Sequence, residues 1–157
     1  MTDVATAFRL QNLLYDSVRA IDDGRLEDWL GYFTDDCLYR ITTRENADQG
    51  YPISLVLCTN KQMLKDRVIA IRAENVYKPH YDRHLVANVA VSAAADGAYK
   101  VEASYVVYQT DLEGATELFS TGKYDATAVA AAGAPKFREM VVTVDTFAIP
   151  NHISTPI

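Results

Sequence analysis

The sequence predicts an α+β fold, with N-terminal helices packed on a strongly bent antiparallel sheet. Up to about Ala73 the apolar residues recur largely at helical spacing. From Arg83 onward the period changes to two, as in half-buried strands. The later segments are separated by short turn signals at Asp96-Gly97, Leu112-Glu113-Gly114 and Gly133-Ala134-Pro135. Helices followed by a run of strands is the α+β pattern. The seam is residues 78–91, KPHYDRHLVANVAV.

Residues 3–22 carry Val4, Phe8, Leu14, Val18 and Ile21 at roughly helical spacing, so they predict an amphipathic helix. Gly24 can end it in a left-handed conformation. Asp22 or Asp23 can then cap a second helix, Arg25 to Phe33, with Leu26, Trp29, Leu30 and Phe33 inward. Thr34, Asp35 and Asp36 read as a turn, and Cys37 to Thr43 as a strand rich in β-branched and aromatic residues. Arg44 to Pro52 is polar and reads as a loop. Ile53 to Cys58 is apolar and too short for periodicity to choose between strand and buried loop.

Thr59-Asn60-Lys61-Gln62 has the form of a capping box. Met63, Leu64, Val68 and Ile71 then mark one face of a helix that runs to about Ala73. Pro79 forbids further helix. Leu85 to Ala94, Tyr99 to Thr110, Thr116 to Ala130 and Phe137 to Ile149 are the predicted strands. Val101, Ala103, Tyr105 and Val107 share one face, and Gly122 marks a bulge or bend. A long strand bent at a glycine can wrap the helical layer into a cone. The tail, Asn151 to Ile157, reads as polar with two exposed isoleucines.

The chain has 157 residues, 49% hydrophobic and 23% charged, which fits one domain over 1–157 with a real core. Fifteen basic against twenty-one acidic residues give a net charge of -6. That argues against nucleic acid or an anionic membrane, both of which need a basic face. Cys37 and Cys58 form no metal-spaced pair and no disulfide framework, so a reduced, cytoplasmic setting is expected. No signal peptide is visible, and no apolar run reaches the ~18 residues of a membrane span.

Two of the three histidines, His80 and His84, stand four apart. That spacing can hold a metal on a helix, but Pro79 precedes the pair and no glutamate lies between them. Hydrogen-bonded structural rings are the simpler reading. Asp82 near His84 can form an acid/base couple, as in cone-shaped enzymes where an Asp in an apolar cavity moves a proton. The simpler alternative is a local ion pair of Asp82 with Arg83. Ten tyrosines are many for this length, and Tyr99, Tyr105, Tyr108 and Tyr124 fall on strands. They suit packing or a subunit interface. Cys37 has no neighbouring base and reads as an inert thiol.

The landmarks Trp29-Leu30, Tyr32-Phe33-Thr34-Asp35-Asp36-Cys37-Leu38-Tyr39, Asp66-Arg67, Arg83-His84-Leu85-Val86-Ala87-Asn88-Val89 and Leu118-Phe119-Ser120-Thr121-Gly122-Lys123-Tyr124-Asp125 come in a telling order. Together they resemble the small (beta) subunit of Rieske-type aromatic-ring-hydroxylating oxygenases. The resemblance implies a cystatin-like, NTF2-like cone. It implies a large alpha subunit as partner, in an α3β3 assembly with beta–beta contacts. It places the Rieske [2Fe-2S] cluster and the mononuclear Fe(II) on the alpha subunit, with electrons from NAD(P)H through a reductase. It gives this chain no catalytic, cofactor-binding or metal residue.

The residue count agrees. A Rieske centre needs two Cys and two His, and the catalytic iron a further two His and a carboxylate. Three histidines cannot supply that set. Two features depart from the pattern. Tyr108-Gln109-Thr110-Asp111 stands where many relatives carry basic residues, and the chain is shorter than biphenyl- and naphthalene-type subunits. The shortness points to subunits serving aromatic carboxylates such as salicylate, anthranilate or terephthalate. The alternatives are a stand-alone dehydratase or isomerase using Asp82, His84 or a nearby Tyr, and a ligand-binding module without chemistry.

Overall fold

The computed structural model describes residues 2–73, 79–130, 133–146 and 153–157. Helix α1 (Val4–Asp22) opens on Asp3, whose carboxylate accepts from the Thr6 amide at 2.9 Å. It closes on Gly24, as expected. That residue sits at φ +68°. The Gly24 amide reaches the Ile21 carbonyl and the Arg25 amide the Ala20 carbonyl, which is the Schellman closure. The buried face is Leu10, Leu13, Leu14, Val18 and Ile21. Val4 and Phe8, expected on that face, are 86% and 62% exposed. The helix packs on β3 (His80–Ala93) and α2 (Leu26–Trp29), and its first two turns gain no comparable cover.

Neither Asp22 nor Asp23 caps α2, whose N-cap position is Arg25 and which has no side-chain cap. The helix tightens into a 3₁₀ turn at Leu30–Tyr32, and Phe33 already belongs to β1 (Phe33–Thr43). The expected turn at Thr34, Asp35 and Asp36 lies inside β1. There the register shifts between Phe33 and Leu38. The polar stretch after it holds a short helix, α3 (Arg44–Asp48), because the Thr43 hydroxyl accepts from the Asn46 amide and so starts a turn. The ambiguous apolar run supplies β2 (Val56–Cys58).

Helix α4 (Lys61–Ala73) starts one residue away from the predicted capping geometry. The Asn60 side chain, not Thr59, accepts from the Met63 amide at 3.0 Å. Thr59 turns its hydroxyl to the Met63 sulfur, and Gln62 bonds Asp66. Leu64 and Val68 are buried as expected, while Met63 is exposed.

The strands β3, β4 (Tyr99–Asp111), β5 (Thr116–Val129) and β6 (Lys136–Val144) form the predicted antiparallel meander. Residues 147–149 of the predicted last strand, like Lys78 of the seam, lie outside the described residues. The Asp96-Gly97 turn takes positive φ at both positions. The six-stranded sheet has the order β2-β1-β6-β5-β4-β3, and β1 runs parallel to β6. The sheet is therefore mixed rather than wholly antiparallel. Pairing of Tyr39 with Met140 leaves no local signature in the sequence.

Gly122 is not a bulge. The slip is at Phe119, where Val107 faces Ser120 while Tyr108 faces Leu118. It turns Phe119 and Ser120 both inward. Gly122 instead marks a close approach, since a Cβ there would overlap the Thr143 carbonyl. Val101, Ala103, Tyr105 and Val107 are buried together as predicted. Trp29, Phe33 and Tyr39 meet edge-on with centroids 4.9 to 6.0 Å apart, and Phe137 joins at 5.7 Å. The tail differs from expectation. Ile157 is 3% exposed within the core, and Ile153 packs against it. No helix among the described residues is long and apolar enough to cross a membrane.

Candidate functional site

The polar chemistry of the chain gathers on the inward face of the sheet. Register fixes that face: Asp82 opposes Gln109, His84 opposes Val107 and Val86 opposes Tyr105 across β3 and β4. On β5, Ser120, Gly122 and Tyr124 continue it, and on β1 so does Tyr39.

Asp22, at the C-terminal end of α1, reaches across to β3. Its carboxylate accepts the His84 backbone amide at 3.0 and 3.2 Å and lies 2.6 Å from His84 Nδ1. A carboxylate can only accept, so Nδ1 carries the proton. The His84 side chain is fully buried and that of Asp22 nearly so. The contact also takes a backbone amide of β3 that faces away from β4, protecting part of an otherwise open edge.

Asp82 is 6% exposed and engaged elsewhere. It accepts from Gln109 Nε2 at 3.1 Å and from the Thr155 hydroxyl at 2.5 Å, with His80 Nε2 at 3.6 Å. The expected Asp82–His84 couple does not form, because each group has its own partner. The expected Asp82–Arg83 pair is not what holds Asp82 either, since neighbouring strand residues face opposite ways and Arg83 is exposed.

Residues 153–157 close over the same interior. The Tyr39 hydroxyl donates to the Ile157 carbonyl at 3.0 Å and accepts from the Ile157 amide at 3.1 Å. Arg67 donates to the Ile153 carbonyl at 2.9 Å. The Tyr105 hydroxyl pairs with Ser120 at 3.0 Å, and its ring stacks on Tyr124 at 4.8 Å. Burial pushes the Tyr105 phenol up to about 12 and that of Tyr39 higher still.

The sequence singles out His84 and Asp82 but misses Asp22 and Thr155 as their partners, and Ile157 as the partner of Tyr39. Asp22 carried one usable sign. A carboxylate in the last turn of a helix opposes the helix dipole, so its placement there asks for a partner elsewhere in the fold.

The residues do not fit a redox centre. Cys37 and Cys58 lie on β1 and β2 at one side of the sheet, while His80 and His84 lie on β3 at the other edge. Both histidines already face carboxylates. Among the described residues no three His, Cys, Asp or Glu side chains are grouped to hold a metal ion. Burial raises the Cys37 thiol to about 11 despite Lys61, so it stays protonated, as an inert thiol should.

Residues 16–151 match the model of the ring hydroxylating beta subunit family. The chain is 37% identical to the small subunit of anthranilate 1,2-dioxygenase from Burkholderia cepacia, over 99% of this chain and 96% of that one. It is 26% identical to beta subunit 2 of the terminal oxygenase component of terephthalate 1,2-dioxygenase from a Comamonas species, over 88% and 90% of the two chains. A crystal structure described as the beta subunit of an aromatic-ring-hydroxylating dioxygenase from Novosphingobium aromaticivorans superposes with a TM-score of 0.87 at 34% identity, covering 99% of this chain and 100% of that one. A chain described as a scytalone dehydratase from the same species superposes at 0.66 with 15% identity, covering 87% and 82%, which speaks for the shared NTF2-like fold alone. With the family model matched over most of its length, the chain belongs to the beta subunits of ring-hydroxylating dioxygenases.

Proposed function

We propose that the chain, as one domain over 1–157, is the non-catalytic small subunit of a multicomponent cytoplasmic oxygenase that hydroxylates an aromatic acid. It holds large alpha subunits in an α3β3 assembly, with beta–beta contacts, and its bent sheet forms the cone of the fold. The Rieske [2Fe-2S] cluster and the mononuclear Fe(II) sit on the alpha subunit, fed by NAD(P)H through a reductase. No residue of this chain is catalytic or binds cofactor or metal. The observation that carries the reading is the separation of thiols from imidazoles across the sheet, with both described imidazoles already facing carboxylates. Anthranilate and terephthalate, in the names of the two relatives, are both aromatic carboxylates, which supports the substrate class.

Co-expression with a large subunit that carries a C-x-H…C-x-x-H pattern tests this. The expected result is a co-eluting red-brown complex containing iron, and an isolated small chain without iron or turnover. Iron, sulfide or oxygenation from the isolated chain overturns the proposal, as does failure to associate with any such large subunit.

A further inference from the structure

Residues 153–157 close the interior without joining any element of the fold. Among the described residues they belong to no helix or strand, and none of their hydrogen bonds runs backbone to backbone. Side chains from three elements hold them. Arg67 of α4 donates to the Ile153 carbonyl at 2.9 Å, and Asp82 of β3 accepts from the Thr155 hydroxyl at 2.5 Å. The Tyr39 hydroxyl of β1 takes both the amide and the carbonyl of Ile157, at 3.1 and 3.0 Å. Ser154 and Ile157 are buried, and Ile157 is part of the core.

These contacts hold the segment only modestly. Ordering it costs backbone entropy at every residue, while its few hydrogen bonds each contribute little net and few apolar side chains are buried. Release also strands little. Asp82 keeps Gln109 Nε2 at 3.1 Å, with His80 Nε2 at 3.6 Å. Arg67 is half-buried and can be solvated where it stands. Of the three, only Tyr39 is left with a buried hydroxyl whose two bonds to the segment are gone. A segment held this way opens locally, at less free energy than the sheet behind it. It uncovers an apolar slot of isoleucine size, ending in a phenol that gives one hydrogen bond and accepts one.

We propose that residues 153–157 are a releasable strap, and that the slot beneath Ile157 binds a branched apolar group carrying a neighbouring N–H and C=O. Tyr39 sets the recognition, because its hydroxyl donates to the C=O and accepts from the N–H as it does with Ile157. The strap is the site's own competitor. A ligand binds only the open fraction of the chain, so its apparent affinity is the intrinsic one scaled by that fraction. The site is separate from the proposed subunit role and does not depend on it.

The test uses the full chain and N-acetyl-isoleucinamide, which carries that side chain with that N–H and C=O. Native-state hydrogen exchange comes first and needs no variant. The Ile157 amide should exchange faster than the Tyr124 amide in β5 by on the order of tenfold or more, with little dependence on added denaturant. Equal protection at the two amides overturns the proposal, because the segment then leaves only when the whole chain unfolds. The probe is next titrated into the parent and into Thr155→Val, which removes the strap's bond to Asp82 and keeps Ile157 and Tyr39. The variant should bind the probe on the order of tenfold more tightly than the parent. Adding Tyr39→Phe should cancel that gain, since it removes the hydroxyl that the probe needs. Equal affinity in parent and Thr155→Val overturns the proposal, and so does the lack of saturable binding to either.

Discussion

The two faces of the sheet are built to opposite ends. The inward face spends nearly every polar group inside the chain: Asp22 on His84, Asp82 on Gln109 and Thr155, and Tyr39 on Ile157. The outward face is left unfinished. Tyr81, Leu85, Tyr108 and Leu118 are 64%, 56%, 38% and 55% exposed. Register puts them close together, since Arg83 opposes Tyr108, Tyr108 opposes Leu118, and Tyr81 and Leu85 flank Arg83 on the same side of β3. A cluster of large apolar side chains on a sheet face is the mark of an interaction surface. The contrast sets an interior closed by its own hydrogen bonds against an exposed apolar face, and it makes that face the place to test for association. Substitutions inside should therefore cost folding, and substitutions outside should cost assembly.

The largest expected effect is at Gly122. Valine there would drive a Cβ into the Thr143 carbonyl, which is backbone and cannot rotate aside. We expect a loss of about 3 kcal/mol or an unfolded product, read from urea denaturation. A Gly122→Val protein as stable as the parent would show that β5 and β6 can part without cost. Asp22→Ala comes next. It strands the His84 amide and its Nδ1 proton in the interior, at a cost of about 2–3 kcal/mol. Amide exchange at His84 should rise more than at the centre of β5.

Outside, the expectation reverses. Replacing Leu85 and Leu118 together by serine should leave the denaturation midpoint of the isolated chain nearly unchanged, within about 0.5 kcal/mol. The same pair should weaken association with the large subunit or with other copies by on the order of tenfold, measured by sedimentation. A stability loss with assembly intact would erase the distinction between the faces.

A smaller effect tests the seal at Tyr39. Tyr39→Phe removes both hydrogen bonds to Ile157 and should cost about 1 kcal/mol. It should also change the alkaline limit. Burial raises the folded pKa of the Tyr39 and Tyr105 phenols above the unfolded value of about 10. Their contribution is thus fully present below pH ~10 and is lost as pH climbs through about 12 for Tyr105 and higher still for Tyr39. Alkaline unfolding, followed by circular dichroism and phenolate absorbance, should be shallower in the variant.

What could be read beforehand follows the same division between local and distant. Gly24 and Asp96-Gly97 act within a few residues, and their effect shows in the sequence. The meander strands also betray themselves, because Val101, Ala103, Tyr105 and Val107 alternate along one segment. The rest joins residues far apart in the chain. Asp22 meets His84 at a separation of 62 residues and Tyr39 meets Ile157 at 118. No periodicity encodes such contacts, so the tail read as exposed and Asp22 as a helix cap. Even Asn60 taking the cap from Thr59 turned on one residue of backbone geometry that both side chains could satisfy.

The smallest effect lies at the rim, where α2 meets α4. Arg72 makes paired bonds to Glu27 at 2.9 and 3.0 Å, and its guanidinium holds the Glu27 carboxyl at about 2, well below the usual carboxylate range. A folded pKa below the unfolded one means stability present above the unfolded value of about 4.3 and lost as pH falls through about 2. The pair is exposed to solvent and screened by salt, so its worth is small. Glu27→Gln should flatten the acid limb of the stability profile at low salt and leave the neutral and alkaline limbs as they are. In high salt the two proteins should coincide. A gap that survived high salt would mean that Glu27 packs against α4 rather than pairing with it, and the rim would then belong to the sealed part of the molecule.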